Sequence, residues 1–420
     1  MKLLHASAIT LAALAVACAK ESVSPKPVGP QPPPPITALP RALTSQEQSL
    51  IAADNRFAIK LLKQANADTR DTVPNLLVSP LSVAMALAMT YNGAATTTEA
   101  AMRATLELDS MTVGELNEAN QSLIALLRGL DPHVRFEIAN SIWYSLAFSV
   151  EQPFLDANRT YFDARVEALD FTSPTAAPTI NTWVDQQTHG LIHEIVPDPL
   201  PQNALMYLIN AIYFKGDWTR QFDKQLTTPR PFHLDDGSTV SVPTMTYGIE
   251  APVQRTWTPL ATVIDLSYGG EAFSMTIILP RESVSVDSVL ASLTLDDWNA
   301  WIARLDTAFT ELYVPKFKLE NNLTLNGPLA SLGMGIAFSD AADFSQMTPG
   351  GGVKISEVKH RTYVDVNEEG TTAAAVTSVG IVPTSVPVPV SVDRPFLFAL
   401  RERLSGTILF MGVIRHPATQ

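Results

Sequence analysis

The chain has 420 residues, 46% of them hydrophobic, which is enough apolar volume for a large core. Its net charge of −13 argues against nucleic acid, heparin-like polyanions and anionic lipid surfaces as partners, because all of these are themselves negatively charged. The single cysteine excludes a disulfide within the chain and a metal site built on cysteines.

The N-terminus carries an export pattern. Lys2 is a short basic start, residues 9–16 are an apolar run, and small residues lead into Cys18. This is typical of a secretory signal peptide over residues 1–17. It also resembles a bacterial lipoprotein signal, in which Cys18 is lipidated and becomes the first residue of the mature protein. An ordinary signal peptide with an incidental cysteine is the alternative.

The next segment is rich in proline, with the run Pro32–Pro35 and several others between residues 22 and 40. Such segments are stiff and extended and have no core, so residues 18–43 are predicted to be a lipidated tether. No later run has the roughly 18 consecutive apolar residues of a membrane span. We therefore expect an exported protein that touches a membrane only through Cys18. It would be an outer-membrane-anchored lipoprotein of the cell envelope, or lie in the extracellular space.

The globular region is predicted to begin at Thr44, where Thr44-x-x-Glu47 has the pattern of a capping box. Helical spacing dominates the first half of the chain and strand-like runs the second. Gly269-Gly270-Glu271 is a hairpin signal between two such runs. This order favours a single α+β domain over residues 44–420. Further predicted helices are 81–89, 113–127 and 179–187, and predicted strands are 207–214, 262–268, 273–279, 311–314, 353–366, 397–400 and 407–413.

Residues 371–392 contain no charged and no aromatic side chain and consist almost entirely of Ala, Thr, Ser, Val, Ile and Pro. Small and β-branched side chains suit a strand, but Gly380 and the prolines at 383, 387 and 389 keep the far half out of a ladder. The segment is therefore interpreted as a latent strand. A buried strand followed by a proline-rich connection is the alternative.

Few residues suggest an enzyme. His189 and His193 have the spacing of a helical metal pair, but Gly190 and Pro197 disfavour a helix there, and the glutamate of a zinc-protease motif is missing. The sequence has no G-x-S-x-G elbow and no phosphate-binding glycine loop. A Ser-His-Asp triad is recognised by geometry, so that alternative stays open. We predict a protein that is not an enzyme and has no metal and no cofactor.

Five motifs, in order along the chain, resemble those of the serpins, inhibitors that trap proteases covalently. The resemblance covers about residues 44–417. The motifs are Asn75-x-x-x-Ser79-Pro80-x-Ser82; Asn181-x-Trp183-Val184 with Thr188-x-Gly190-x-Ile192; Asn210-Ala211-Ile212-Tyr213-Phe214-Lys215-Gly216-x-Trp218; Asp393-Arg394-Pro395-Phe396; and Leu409-Phe410-Met411-Gly412.

The resemblance implies a serpin fold of three β-sheets and eight or nine helices, with an exposed reactive-centre loop at about residues 368–394. The family's spacing places the scissile bond at Thr384–Ser385. After cleavage, residues from 371 onward would enter the main sheet, with residues 371, 373, 375, 377, 379 and 381 on the buried face. The hinge would consist of Glu368, Glu369, Gly370, Thr371, Thr372, Ala373, Ala374 and Ala375. Thr371, Ala373, Ala374 and Ala375 have the small side chains of inhibitory members.

Two further groups carry over from the resemblance. Ser79, Ser82, Asn210 and His360 are similar to a polar cluster beneath the centre of the main sheet, where hydrogen bonds would hold the sheet closed until insertion. His360 alone is more commonly explained as a hydrogen-bonded core histidine. Trp218, Lys316 and Glu368 are similar to the group at the top of the sheet, where the loop enters.

The resemblance finally implies a monomeric suicide inhibitor that forms a covalent complex with its target protease. Thr384 is small and β-branched, which favours elastase-like or subtilisin-like serine proteases. A papain-like cysteine protease is the second target class. The acidic region 106–127 lacks a basic stripe, so no heparin-type cofactor is expected. The alternative is a non-inhibitory serpin-fold binding module at the cell surface.

Overall fold

The computed structural model describes residues 33–109, 111–370 and 389–417. Cys18, residues Thr371–Ala375 and the bond Thr384–Ser385 lie outside these ranges, so the predictions on them stay predictions. Within the described ranges, no helix is both long enough and apolar enough to cross a bilayer.

Capping explains where several helices begin. Thr44 and Thr112 each form a capping box with a glutamate three residues later, which confirms the box predicted at Thr44. Ser79 accepts a hydrogen bond from the Ser82 N–H at the start of another helix. The predicted helices 81–89, 113–127 and 179–187 are confirmed. The helices of the described residues are α1 Ser45–Thr69, α2 Pro80–Tyr91, α3 Thr96–Thr105, α4 Val113–Leu127, α5 Gln152–Phe162, α6 Ala176–Gln187, α7 Val286–Ser292, α8 Leu295–Ala303 and α9 Asn326–Leu329.

The predicted strands are confirmed with one exception. The strand predicted over 353–366 is wrong in its first part, because pairing begins only at Lys359. The strands are β1 Asn75–Val78, β2 Val134–Ser145, β3 Arg165–Leu169, β4 Met206–Gly216, β5 Thr228–His233, β6 Thr239–Thr246, β7 Ala251–Trp257, β8 Ala261–Tyr268, β9 Phe273–Pro280, β10 Asp306–Thr310, β11 Leu312–Pro315, β12 Phe317–Thr324, β13 Lys359–Val366, β14 Val390–Ser391, β15 Phe396–Glu402 and β16 Ile408–Ile414.

A seven-stranded sheet forms the centre of the core, with the strand order β1-β16-β15-β9-β8-β7-β10. Every residue of β9, β15 and β16 is buried, as expected for strands covered on both faces. β8 and β9 pair as the predicted hairpin. Gly269 in its turn has a φ of 48°, a conformation that favours glycine. A four-stranded sheet has the order β14-β11-β6-β5.

The expected main sheet is present as two separate halves. One half has the order β3-β2-β4, with β2 and β4 antiparallel, and the other is the antiparallel pair β12-β13. Among the described residues, β4 and β13 form no ladder with each other. α2 packs beneath β4 on the core side. α6 covers the opposite face through a second apolar cluster that contains Trp143, Trp183 and Ile209. The main sheet therefore has room for one more strand between β4 and β13.

The last part of the predicted tether lies against the domain. The Ile36 N–H donates to the Gly270 carbonyl at 2.7 Å, and the Ile36 side chain packs on the core. The Arg41 guanidinium donates to both carboxylate oxygens of Glu47 and to the Ser122 hydroxyl. The hydrogen bonds from Arg41 lower the pKa of the buried Glu47 carboxyl to about 2. The expectation of a coreless tether as far as Pro40 is thus wrong from about Ile36 onward, because these side chains have partners.

Candidate functional site

The described end of the hinge is fixed by backbone pairing at the top of the main sheet. Gly370 forms antiparallel bridges with Asn367, on the same side as β13, and with Asp217, directly after β4. The Trp218 N–H donates to the Glu369 carbonyl at 2.9 Å. Gly370 therefore lies between the ends of the two halves, at the top of the main sheet.

Only glycine fits at this position. Gly370 has a φ of 120°, which other residues rarely adopt. A Cβ atom there would lie 2.4 Å from the Gly216 carbonyl oxygen and 2.5 Å from the Trp218 nitrogen. Both are backbone atoms that are held by the ladder, so neither has room to move.

Glu368 is buried next to the hinge and is fully partnered. Its carboxylate accepts two hydrogen bonds from the Lys316 ammonium, at 2.8 and 3.1 Å, and one from the Thr227 hydroxyl at 2.8 Å. Burial by itself would raise the pKa of Glu368. The hydrogen bonds from Lys316 and Thr227, with the attraction of the Lys316 charge, outweigh burial and lower it. The Glu368 carboxylate is therefore an ionised anchor for the hinge.

Trp218 connects this anchor to the core. Its indole N–H donates to the Asn367 carbonyl at 2.9 Å, and its ring stacks on Tyr268 with centroids 4.2 Å apart. The Phe222 N–H donates to the Glu368 carbonyl. The structure thus brings Trp218, Lys316 and Glu368 together, in line with the resemblance. Phe222 and Thr227 were not identified from the sequence, since nothing in the spacing of this region indicates that they return to the hinge.

The polar cluster beneath the sheet is also assembled, with a different bonding pattern from the one expected. The buried His360 ring accepts a hydrogen bond from the Ser79 N–H at 2.9 Å. Burial lowers the pKa of His360 to about 4, so the ring is neutral at pH 7. The Ser79 hydroxyl donates to the Leu409 carbonyl, and the Ser82 hydroxyl to the Asn210 carbonyl at 3.4 Å.

The cluster therefore attaches each half of the sheet to the helix below it. The Asn210 side-chain amide donates to the Asn140 side chain at 2.7 Å. Asn140 lies on β2, in the same half of the sheet as Asn210. The buried Oδ1 atom of Asn210 accepts no hydrogen bond within the described part of the chain. A buried acceptor without a donor is costly. That these bonds hold the sheet closed until insertion stays a prediction. Among the described residues, no donor reaches the Asn210 Oδ1 atom at the edge of the gap.

A cavity of about 560 Å³ occupies the lower part of the gap. One wall is residues 206–211 of β4, the other is residues 353–361, and Ser82, Ala86 and Thr90 of α2 form part of the floor. Residues 353–358 are those that were predicted to be strand. Within the described part of the chain they belong to no ladder, since pairing begins at Lys359. We call the space between β4 and residues 353–366 the slot.

Beyond residue 388 the chain rejoins the four-stranded sheet. β14 pairs with β11 in parallel, and the Val390 N–H donates to the Glu311 carbonyl at 2.9 Å. The His233 N–H donates to the Asp393 carbonyl at 2.7 Å. The loop that contains Thr384 and Ser385 is thus fixed at both ends, at Gly370 and at Val390.

The histidine pair of the sequence analysis has other partners. α6 ends at Gln187, His189 lies 2.7 Å from the Glu137 carboxylate, and His193 lies 2.5 Å from that of Asp185. Within residues 33–109, 111–370 and 389–417, no group of three or more His, Cys, Asp or Glu side chains is arranged to hold a metal ion.

Comparisons with known proteins agree with this architecture. The serpin (serine protease inhibitor) family profile matches residues 52–417. The leukocyte elastase inhibitor of Homo sapiens is 34% identical over 389 residues, which cover 88% of this chain and 100% of that protein. Serpin B10 of Sorex araneus is 32% identical over 397 residues, with the same coverage of both chains.

Solved structures give the same result. The native state of the thermophilic serpin tengpin superimposes with a TM-score of 0.78 at 31% identity, covering 91% of this chain and 96% of that one. Human thyroxine-binding globulin, in complex with its ligand, gives a TM-score of 0.79 at 28% identity, covering 89% of this chain and 100% of that one. A family profile that matches most of the chain, and relatives aligned over their whole length, show that this chain belongs to the serpin family.

Proposed function

We propose that this serpin is a suicide inhibitor of serine proteases, and that its cleaved reactive loop fills the slot in the main sheet. The observation that carries the proposal is the pair of bridges made by Gly370. In an antiparallel ladder each step forward along one strand is matched by one step back along its neighbour. The two bridges therefore fix the register of any strand that continues from Gly370.

In this register Thr377 would lie between His360 on one side and Asn210 on the other. The Thr377 hydroxyl would then supply a donor to the unpaired Asn210 Oδ1 atom. Residues 377–381 would pair with residues 356–360 and 206–210, which are the walls of the cavity. The proposed strand would thus fill the cavity and supply a donor to the Asn210 Oδ1 atom at its edge.

The register also supports the buried face inferred from the sequence. Residues 371, 373, 375 and 377 would share a face with Val366, Val364, Thr362 and His360, all of which are buried. Side chains alternate strictly along a strand, so a slip of one residue would reverse the pattern. Two independent arguments, side-chain composition and backbone pairing, therefore assign the same face.

The chemistry follows from cleavage at Thr384–Ser385. The serine hydroxyl of the protease attacks the Thr384 carbonyl carbon, the bond to the Ser385 nitrogen breaks, and the freed amine leaves with a proton. Thr384 remains attached to the protease as an ester. Insertion of residues 371–382 then carries the ester, with the protease, along the sheet before water hydrolyses it. Serpin loop insertion is itself a standard example of strand addition and released strain.

The proposed targets are elastase-like or subtilisin-like serine proteases, because Thr384 suits a small apolar pocket. The name of the human leukocyte elastase inhibitor, a relative at 34% identity, supports this class. A papain-like cysteine protease is a second target class. We further propose that the mature protein begins at a lipidated Cys18 and is displayed at the cell envelope, which rests on the N-terminal sequence pattern alone.

The test is to mix the chain, without residues 1–32, with pancreatic elastase and with subtilisin and to analyse the products on denaturing gels. A band that survives SDS at the summed mass, with a released peptide beginning at Ser385, is expected. Cleavage without an adduct, and without a rise in melting temperature, would move the function to a non-inhibitory binding module. Thyroxine-binding globulin, solved with its ligand, is a serpin-fold protein of that binding kind.

A further inference from the structure

The end of the main sheet opposite Gly370 carries exposed apolar side chains. Leu146, directly after β2, is 68% exposed and is the most exposed large hydrophobic side chain of the described residues. Leu205, directly before β4, is 41% exposed. The two lie on adjacent strand ends, because the Ser145 N–H donates to the Leu205 carbonyl at 2.9 Å.

The surface around these two leucines is uncharged. It is formed by residues 145–150 and 201–206, which we call the end patch, and neither segment contains a charged side chain. A third uncharged segment, residues 347–353, adjoins it, since the Thr348 hydroxyl donates to the Ser149 carbonyl at 2.7 Å. A contiguous apolar area on an otherwise strongly charged chain indicates a contact with a partner.

The register fixed by Gly370 brings the reactive bond to the end patch. Counting on from its bridges, residue 382 would pair with Leu205, and Thr384 would lie opposite Asn203. The ester that joins Thr384 to the protease would therefore come to rest within two residues of Leu205. The patch thus lies where insertion would deliver the protease.

The link between the inserted strand and the protease is short. Residues 383 and 384 span about 7 Å when extended, whereas a protease domain of about 200 residues has a radius of gyration of about 16 Å. The protease would therefore rest against the lower end of the sheet. The end patch is the surface that it would meet there.

We infer that the end patch is the docking surface for the trapped acyl-enzyme, and that its apolar contacts set how long the protease stays trapped. The inference rests on the proposed function. Escape requires water to add to the Thr384 ester carbonyl carbon, while the serine oxygen of the protease leaves with a proton. This step needs the catalytic groups of the protease aligned to within about 1 Å. A protease held on the patch is drawn away from that alignment, so hydrolysis proceeds from the undocked fraction.

The first experiment measures the release of active elastase from the purified complex. It compares wild type, Leu146→Ser, Leu205→Ser and the double variant, each without residues 1–32. Burial of a leucine side chain changes a population by about tenfold or more. Because each leucine is already partly buried, we expect each single variant to release elastase about three- to tenfold faster, and the double variant faster than either.

Trp257 provides a matched control. Its side chain is 57% exposed, and it ends β7 in the seven-stranded sheet, away from the end patch. Trp257→Ser should therefore release elastase at the wild-type rate. Equal release from all variants would overturn the inference.

A second readout measures the contact directly. The chain without residues 1–32 has no cysteine, so Leu146→Cys introduces a single thiol. Its reaction with a maleimide should slow by about tenfold in the elastase complex, in proportion to the docked fraction. Leu146 is not among the residues that line the cavity, so the loop-cleaved form without bound protease should keep the fast reaction. Trp257→Cys should react at one rate in all forms.

The outcomes separate this inference from the proposed function. An SDS-stable complex in which the Leu146→Cys thiol reacts at an unchanged rate would overturn the docking surface and leave the proposed function in place. The absence of any SDS-stable complex would refute the proposed function itself. A dimer of the uncleaved wild type that Leu146→Ser abolishes, seen by light scattering, would assign the patch to a second copy and would also overturn the inference.

Discussion

The register fixed by Gly370 makes a prediction that two neighbouring substitutions can test. Thr377→Glu would place a carboxylate on the buried face, between Asn210 and the neutral ring of His360. Ser378→Glu would place the same charge one residue later on the outer face, opposite Lys359, which is partly exposed. The two variants have the same net charge and the same added side chain. They differ only in the face of the inserted strand.

The expected difference is large. An uncompensated buried charge costs about 3–5 kcal/mol, and each 1.4 kcal/mol corresponds to about a factor of ten in a rate. If this free-energy cost is already present when residue 377 passes the polar cluster beneath the sheet, insertion slows by about a hundredfold or more. The acyl-enzyme is then hydrolysed before insertion is complete. Thr377→Glu should therefore be cleaved as a substrate. Ser378→Glu should be impaired less than Thr377→Glu, because its carboxylate would lie opposite the partly exposed Lys359 ammonium, which carries the opposite charge.

The assay is the stoichiometry of inhibition of elastase, together with the melting temperature before and after cleavage of the loop. Thr377→Glu should be cleaved at the wild-type rate, which shows that the loop remains accessible, but should gain little heat stability. Equal damage from both substitutions would refute the register. A larger effect of Ser378→Glu would place the opposite face inward.

Three further predictions concern the hinge and the core. Gly370→Ala should lower the free energy of unfolding of the uninserted form by about 1–3 kcal/mol, because its Cβ meets the backbone of β4. Urea unfolding measures this loss. Burial raises the pKa of Asp54 to about 7 from an ordinary 3.8. The protein therefore loses stability as pH rises from 4 to 7, because the buried carboxyl must ionise. Asp54→Asn should raise the free energy of unfolding by about 2–4 kcal/mol at pH 8 and change it little at pH 4. Arg41→Ala removes both hydrogen bonds from Arg41 to the buried Glu47 carboxylate, which then keeps the Thr44 N–H of its capping box. It should lower the urea midpoint at pH 7, and Arg159→Ala, which removes an exposed pair with Asp156, should lower it less.

The parts of the fold that depend on neighbours in sequence could be predicted. The capping box at Thr44 and Glu47 involves residues three apart, and the hairpin at Gly269 joins two adjacent runs. The side chains from His360 to Val366 alternate between buried and partly buried, as the period of a strand requires.

Contacts across long stretches of sequence could not be predicted from this one sequence. The carboxylate that contacts His189 belongs to Glu137, which lies 52 residues earlier in the chain. Nothing in the sequence around either residue indicates this contact. The separation of the main sheet was also missed. The strand was extended to residue 353 because Val353, Ile355 and Val358 favour a strand, although pairing begins only at Lys359. Ile36 was assigned to the tether because it lies in a proline-rich segment, where a single apolar residue does not indicate a contact with the core.

The separation of the main sheet has a kinetic consequence. Where the two halves already stand apart, an incoming strand adds hydrogen bonds on both sides without first breaking a ladder. The activation barrier would then lie in the hinge and in the residues after α6 that line the cavity, such as Ile192 and Pro197. The paired strands would determine only how favourable insertion is overall. Substitutions along β4 and β13 should accordingly alter the final stability of the cleaved form, and those at the periphery should alter how quickly it is reached.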